Sequence, residues 1–332
     1  MNESAVGFEV LTGGALTTVQ DEGRFGFQQY GVTPGGPMDT RSFHLANLLV
    51  GNPMGEACLE VTFAGPVLRF DTDTVIAVTG GDLQPQLNGT PFPGASAQRV
   101  RRGDVLSFAG RKNGCRCYIA FAGGLEIPVL MGSRSTMLRI GAGGFEGRKL
   151  RTGDRIGFRA PEKSLIRMSQ RHLRAEVFPE REVTLRVVPG PQEDAFTERG
   201  IRDFYSLSGT ITGDFDRMGC RIESEPIEHA GDGNIITDGI SFGSIQIPPT
   251  GKPIIMLADR QSTGGYAKIG TVISVDLPLL AQSIPGMKIR FRRVSLEEAQ
   301  ELYLRELGEM KVLDRRWNGP PERYAYQIQE IM

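Results

Sequence analysis

Two segments of the chain concentrate the residue types that could do chemistry. The first, "VQDEGRFGFQQYGVTPGGPMD" from Val19 to Asp39, sets five glycines and two prolines among Asp21, Glu22, Arg24 and Asp39. The second, Asp232 to Gly270, reads "DGNIITDGISFGSIQIPPTGKPIIMLADRQSTGGYAKIG". Glycine lacks a Cβ, so backbone N–H groups around Gly35, Gly36, Gly239, Gly264 and Gly265 can approach a small planar ligand closely. Asp39, Asp238, Asp259, Arg24 and Arg260 can supply charge beside it. The same pattern also describes hairpin turns with solvated charges at their tips, and residue types alone leave both readings open.

The commoner catalytic signatures are missing. No GxxxxGK[ST] phosphate loop occurs: "PTGKP" lacks the upstream glycine, and Pro253 holds the Ser/Thr position. "GAGGFEG" at 141–147 is out of register for GxGxxG, and HExxH is absent. The one GxSxG match, Gly239 to Gly243, runs into the strand-like "SIQIPP" where a nucleophile elbow needs a helix, which argues against Ser241 as a nucleophile. Cys115 and Cys117 lack CxxC spacing and neighbouring histidines, so they read, with Cys58 and Cys220, as structural thiols. His44, His172 and His229 stand far apart in sequence, and no metal site is expected.

The elements that must position these residues are mostly strands. The 43 glycines and 20 prolines punctuate short β-branched runs such as "TVIAVTG", "CYIAFAGG", "VTLRVVPG" and "KPIIMLA", the pattern of a barrel or sandwich. "RRGDVLSF" at 101–108 and "RTGDRIGF" at 151–158 echo each other, each predicting a tight turn in which glycine takes positive φ and Asp bonds the turn backbone. Helices are few. Asp39 caps a predicted helix over 40–50, and "SLEEAQELYLREL" opens with a capping box, Ser295 and Glu298. That second helix is expected to pack on the second domain, with the aromatic tail around Trp317 docking on its own domain.

At 332 residues the chain exceeds what one hydrophobic core usually serves. The reading is a β-barrel-like domain over 6–160, a polar, Arg-rich connection over 161–182, a second barrel over 183–293, and a C-terminal amphipathic helix and tail over 294–332. With 38 Lys+Arg against 39 Asp+Glu there is no electrostatic case for nucleic acid or an anionic membrane. The apolar runs are too short to span a bilayer and the N-terminus lacks a secretion signal, so the expected location is cytoplasmic.

Successive blocks carry a resemblance: "TVQDEGRFGFQQYGVTPGGPMD", "LANLLVGNPMGEACLEVTFAGP", "YIAFAGGLEIPVLMGSRST", "GGFEGRKLRTGD", "VVPGPQEDAF" and "DGISFGSIQIPPTGKPIIMLADRQSTGGYAKIG". In this order, over about residues 7–293, the chain resembles the family of 5-oxoprolinase C subunits. That family is also described as allophanate hydrolase subunit 2 or biotin-dependent carboxyltransferase, and it includes the antagonist of a sporulation-kinase inhibitor. The resemblance implies two cyclophilin-like β-barrel domains. It also implies partners, the A and B subunits, in ATP-dependent opening of 5-oxoproline to glutamate, with the ATP site on, or shared with, another subunit.

Two other functions follow from the same family. One is a carboxyltransferase component acting on urea or a similar amide with a separate biotin carrier; the other is a non-catalytic protein that sequesters a kinase-inhibitor partner. The biotin-accepting A-M-K-M sequence does not occur, and "GMKIRF" near Lys288 reads as a strand entry. A small planar amide needs donors on its carbonyl oxygen and an acceptor for its N–H. The candidate roles are therefore Asp238 and Asp259 as proton acceptors, Arg24 and Arg260 as their electrostatic partners, and the backbone at Gly35, Gly36, Gly264 and Gly265 as the oxygen-binding surface. Gln20, Asp21, Asp39, Gln246, Gln261 and Tyr266 are candidates for orienting substrate.

Overall fold

The computed structural model describes residues 6–161 and 168–319. The first part of the chain forms two sheets. One runs β11 (Arg155–Gly157), β1 (Gly7–Thr12), β4 (Val67–Phe70), β9 (Val105–Phe108), β6 (Pro85–Leu87) and β7 (Thr90–Pro91). The other runs β2 (Leu16–Gln20), β3 (Cys58–Thr62), β10 (Asn113–Phe121), β5 (Thr74–Asp82) and β8 (Ser96–Val100). Phe8, Val10, Leu59, Val61, Phe70, Leu106, Ile119 and Phe121 join in one core cluster drawn from both sheets. The far face of the second sheet is covered too. α1 (Thr40–Leu49) lays Phe43, Ala46 and Leu49 against Cys58, Val75, Ala77, Tyr118 and Ala120, which is why β3 and β10 are almost continuously buried rather than alternating.

The two R-x-G-D sequences fold alike, as their similarity predicts. Gly103 and Gly153 take φ +92 and +91, and Asp104 and Asp154 each accept the N–H of the residue three earlier at 2.7 Å. Each turn launches a strand of the first sheet, β9 or β11.

The second part closes into a seven-stranded barrel, ordered β12 (Glu182–Pro189), β19 (Lys268–Val272), β16 (Ser244–Gln246), β17 (Ile254–Met256), β14 (Gly219–Glu223), β13 (Gly209–Phe215) and β20 (Lys288–Arg293). Lys288 opens the last of these strands and bonds Thr210 Oγ1 at 2.8 Å. Cys220, Ile222, Ile245, Ile255, Ile269 and Ile289 fill the interior, so their sequence neighbours face outward. A two-stranded ribbon, β15 (Asn234–Gly239) and β18 (Thr263–Tyr266), stands apart from the barrel wall and pairs Asp238 with Gly264. Two short helices, α2 (Glu198–Ser206) and α3 (Leu277–Ala281), flank the barrel.

The capping box is present: Ser295 Oγ accepts the Glu298 N–H at 3.1 Å and starts α4 (Leu296–Asn318). Its docking goes beyond expectation. The helix touches the barrel part at Ser274–Asp276, and Met310, Leu313 and Trp317 pack on Leu45 and Leu48 of α1, so it also lies against the first part of the chain. The apolar stripe of α1 has a second face that the strands cannot cover, and α4 covers it. Trp317 thus docks on its own chain, while the Pro pair and the two tyrosines of the tail, together with residues 162–167 of the connection, lie outside the described residues. Among the described residues no helix is long and apolar enough to cross a membrane.

Candidate active site

The structure distributes the candidate residues between two places. One is a buried junction between the two β units. Arg217, in the turn between β13 and β14, donates to both carboxylate oxygens of Asp259 at 2.9 Å, to the Gly36 carbonyl at 2.6 Å and to Glu60 of β3. Tyr118 donates its hydroxyl to Glu60 at 2.7 Å and accepts the Asp39 N–H at 2.8 Å. The two glycine-dense segments therefore do meet, since a Cβ on Gly35 would lie 3.7 Å from Asp259 Oδ1. They meet around a guanidinium that the sequence reading missed.

At this junction the candidate side chains are largely occupied by the fold itself, with Gln20 Oε1 and Arg24 Nη1 buried without a partner among the described residues. Asp21 accepts from Ser133 Oγ and Arg134 N at 2.5 Å, Ser135 Oγ at 2.7 Å and Gly23 N at 3.0 Å. Gln20 is buried and bonds Thr18 at 3.0 Å. Arg24 spans to the Leu130 and Ser135 carbonyls, and burial lowers its pKa against the pull of Asp21 and Asp259. Arg260 is held by the Ile240 and Leu257 carbonyls over the Phe242 ring, and burial brings its guanidinium down to about 10. For Glu60, burial alone would raise the carboxyl, but Arg217, Arg116 and bonds from Met38 N–H and Tyr118 hold it below the ordinary value.

Asp39 caps α1, accepting Ser42 N at 2.9 Å and Ser42 Oγ at 2.7 Å, and takes Gln282 Nε2 from the barrel side at 2.8 Å. Burial outweighs these donors and pushes its carboxyl up to about 6. A carboxyl raised on folding contributes stability below its unfolded value and loses it as pH rises through the folded one. Asp39→Asn keeps a good cap. The variant is therefore expected to gain on the wild type between about pH 4 and 6, by about 1–3 kcal/mol. Chemical denaturation across that window checks this, and a constant difference would count against it.

The second place is an open cavity of 620 Å³ on the outer wall of the barrel. Gly219, Arg221, Ile254, Met256 and Gln246, the outward members of β14, β17 and β16, form its floor, with Gln261 and Tyr266 at the foot and end of the ribbon and Phe215 and Asp216 at the opposite rim. Its size is that of small-molecule sites, roughly 300–1,000 Å³. Gln246 is buried, and its Nε2 has no hydrogen-bond partner among the described residues. A Cβ at Gly264 would meet that Nε2 at 2.7 Å, so a larger residue there would have to displace the Gln246 amide.

Asp238 sits behind the cavity, on the ribbon, and is not among its lining residues. It receives Lys268 Nζ at 2.8 Å, Gly239 N at 2.7 Å and Gln192 Nε2 at 3.2 Å. The Lys268 bond, foremost among these, holds the carboxyl below its usual range. Lys268 is buried and lies directly across from Gln246 in the β16–β19 register, one strand from a residue that lines the cavity. Gly265 lies on the ribbon beside the Ile235 carbonyl. Lys268 and Glu60 had one legible signal, a single charge inside an apolar strand, "YAKIGTV" and "CLEVTF", and Arg217 sits in the tight turn "DRMG". Among the described residues no cluster of His, Cys, Asp and Glu side chains could hold a metal ion.

Residues 30–293 match the family described as carboxyltransferase domain, subdomain A and B. The chain is 33% identical over 306 residues to the C subunit of 5-oxoprolinase from Escherichia coli, covering 90% of this chain and 97% of that protein. It is also 33% identical to urea amidolyase of Saccharomyces cerevisiae, over 92% of this chain but 18% of that much longer protein. The crystal structure of Kluyveromyces lactis urea carboxylase superposes with a TM-score of 0.86 at 31% identity, over 94% of this chain and 30% of the other. Matched along nearly its whole length in sequence and in fold, the chain belongs to the family of carboxyltransferase domains that includes the 5-oxoprolinase C subunits.

Proposed function

We propose that the chain is the C subunit of an ATP-dependent 5-oxoprolinase, opening 5-oxoproline to L-glutamate together with the A and B subunits, and that the cavity receives the small amide. The relatives named as 5-oxoprolinase C subunits support the reaction. The observation that carries the site is Gln246, which lines the cavity and whose buried Nε2 has no hydrogen-bond partner among the described residues. A preorganised donor that has already lost its water gains most where a carbonyl oxygen becomes more negative. Gln261 and Tyr266 can then orient the ring, and the Asp238–Lys268 pair, behind Gln246 across the strand, offers an ionised acceptor and a proton donor.

The N-termini of α1, α2 and α4 are each closed by their own caps, Asp39, Thr197 and Ser295, which leaves none of these helix ends open to a phosphate. On this reading ATP sits on, or is shared with, another subunit.

One observation favours a second reading, carboxyl transfer to urea or a similar amide from a separate biotin carrier. Asp214 and Asp216 line the cavity beside Arg221, so its walls suit a neutral amide at least as well as the anionic 5-oxoproline. One assay separates the two. This chain alone should not turn over 5-oxoproline with ATP, and adding the A and B subunits should restore ATP-dependent glutamate formation. Full activity from the chain alone would refute the division of labour. Carboxylation of urea by the complex with carboxybiotin, without glutamate formation, would establish the second reading. A complex that binds a kinase inhibitor and shows no turnover would favour a sequestering protein.

A further inference from the structure

One row of side chains crosses the outer wall of the barrel. In the strand registers Arg221 of β14 lies opposite Ile254 of β17, Ile254 opposite Gln246 of β16, and Gln246 opposite Lys268 of β19. The first three of these residues line the cavity. Arg221 and Gln246 therefore stand two strands apart on one face, with about 10 Å between their backbones at the ordinary strand spacing and the apolar Ile254 between them. The unpartnered Gln246 Nε2 suits a carbonyl oxygen, and the guanidinium suits an anionic group on the far side of the same small molecule.

Arg221 is the only cation among the described residues that line this cavity. It is also loosely tied. Its side chain is 58% exposed, and its Nε lies 4.0 Å from Oδ2 of Asp214, whose own side chain is 81% exposed. An exposed pair of this kind contributes little and is readily exchanged. Asp216, the other carboxylate at the rim, is spent on its own turn, where it accepts the Met218 N–H at 2.7 Å and the Gly219 N–H at 3.1 Å. Lys252, in an adjoining 300 Å³ hollow that also reaches Arg221, is bonded to Glu223 at 2.6 Å. We infer that Arg221 is the specificity-determining residue of the cavity, that it recognises a carboxylate carried by the substrate, and that Asp214 occupies the guanidinium until that carboxylate displaces it. In a lactam with a carboxylate beside the ring nitrogen, the lactam oxygen and the carboxylate flank that nitrogen on opposite sides. One can meet Gln246 while the other meets Arg221. A guanidinium takes a carboxylate in a bidentate grip that a neutral amide does not offer.

This inference rests on the 5-oxoprolinase reading, and its test keeps the two apart. The complex assembled with the A and B subunits is assayed with 5-oxoproline and ATP, with 2-pyrrolidinone, the same lactam without its carboxylate, as a competing ligand. Arg221→Met should raise KM for 5-oxoproline about 10–100-fold, the loss expected for one hydrogen bond to a charged group. The change should fall on KM more than on kcat, with inhibition by 2-pyrrolidinone and the melting temperature as in the wild type. Arg221→Lys should recover part of the loss. Asp214→Asn, which removes the competing carboxylate, should lower KM about 2–5-fold, as release of a weak exposed pair allows. An unchanged KM in Arg221→Met overturns the assignment and leaves the reaction standing. Equal weakening of 5-oxoproline and 2-pyrrolidinone overturns carboxylate recognition, because it reports a damaged cavity. A wild-type complex that forms no glutamate from 5-oxoproline overturns the reaction and this inference with it.

Discussion

Asp238→Asn should cut turnover by the assembled subunits about 10²–10⁴-fold, the usual range for losing a positioned acid or base. The side chain is half exposed and Asn can still accept a hydrogen bond from Lys268, so complex formation should hardly move, while the lost counter-charge of the buried ammonium should lower the melting temperature. What changes is the charge. The carboxylate, held ionised foremost by Lys268, fixes a buried ammonium across the sheet from Gln246. Without it the acceptor is gone and the ammonium loses its direction. Lys268→Met should give a loss of similar size, and the double variant should cost little more than either change alone, since the two act as one unit. Normal turnover in Asp238→Asn would remove the pair from the chemistry and leave it as a surface clamp on the ribbon.

Arg217→Met should destabilise the protein by about 3–5 kcal/mol, because it strands two buried carboxylates rather than removing a pair cleanly. Arg217 and Glu60 are 5% and 2% exposed, and Asp259 is 11% exposed, so water cannot replace the lost cation. The pH dependence gives the mechanism. In the native protein Glu60 is held below its ordinary value, so its contribution is present above that value and lost as pH falls through the folded one. With Arg217 gone, burial should raise the Glu60 carboxyl, and the penalty should be relieved as it protonates. The gap between wild type and variant should therefore narrow from about pH 7 toward about pH 5 in denaturant melts. Adding Glu60→Gln should recover part of the loss. A gap that stays constant with pH would mean that lost packing of the long side chain, not stranded charge, accounts for it.

Much of this protein was legible along the chain. Strand runs bounded by glycine and proline, the paired R-x-G-D turns, the Asp39 cap and the Ser295 capping box are all set by neighbours within a few residues, and local φ/ψ preferences and short-range hydrogen bonds decide them. The resemblance of successive blocks likewise indicated the family. The assembly of the site was not legible in the same way. Asp238 and Asp259 stand 21 positions apart in one glycine-dense segment and have the same residue type. The fold sends one to a ribbon beside Lys268 and the other into a buried triad with Arg217 and Glu60, which lies 157 positions from Arg217 in the chain. Which charge faces water, which faces a guanidinium, and which amide is left without a partner depend on contacts between strands remote in sequence. Desolvation and pairing are properties of those three-dimensional surroundings, so the sequence by itself determined the elements and the family, and only the tertiary structure decided which charges are buried in pairs and which stand at the cavity.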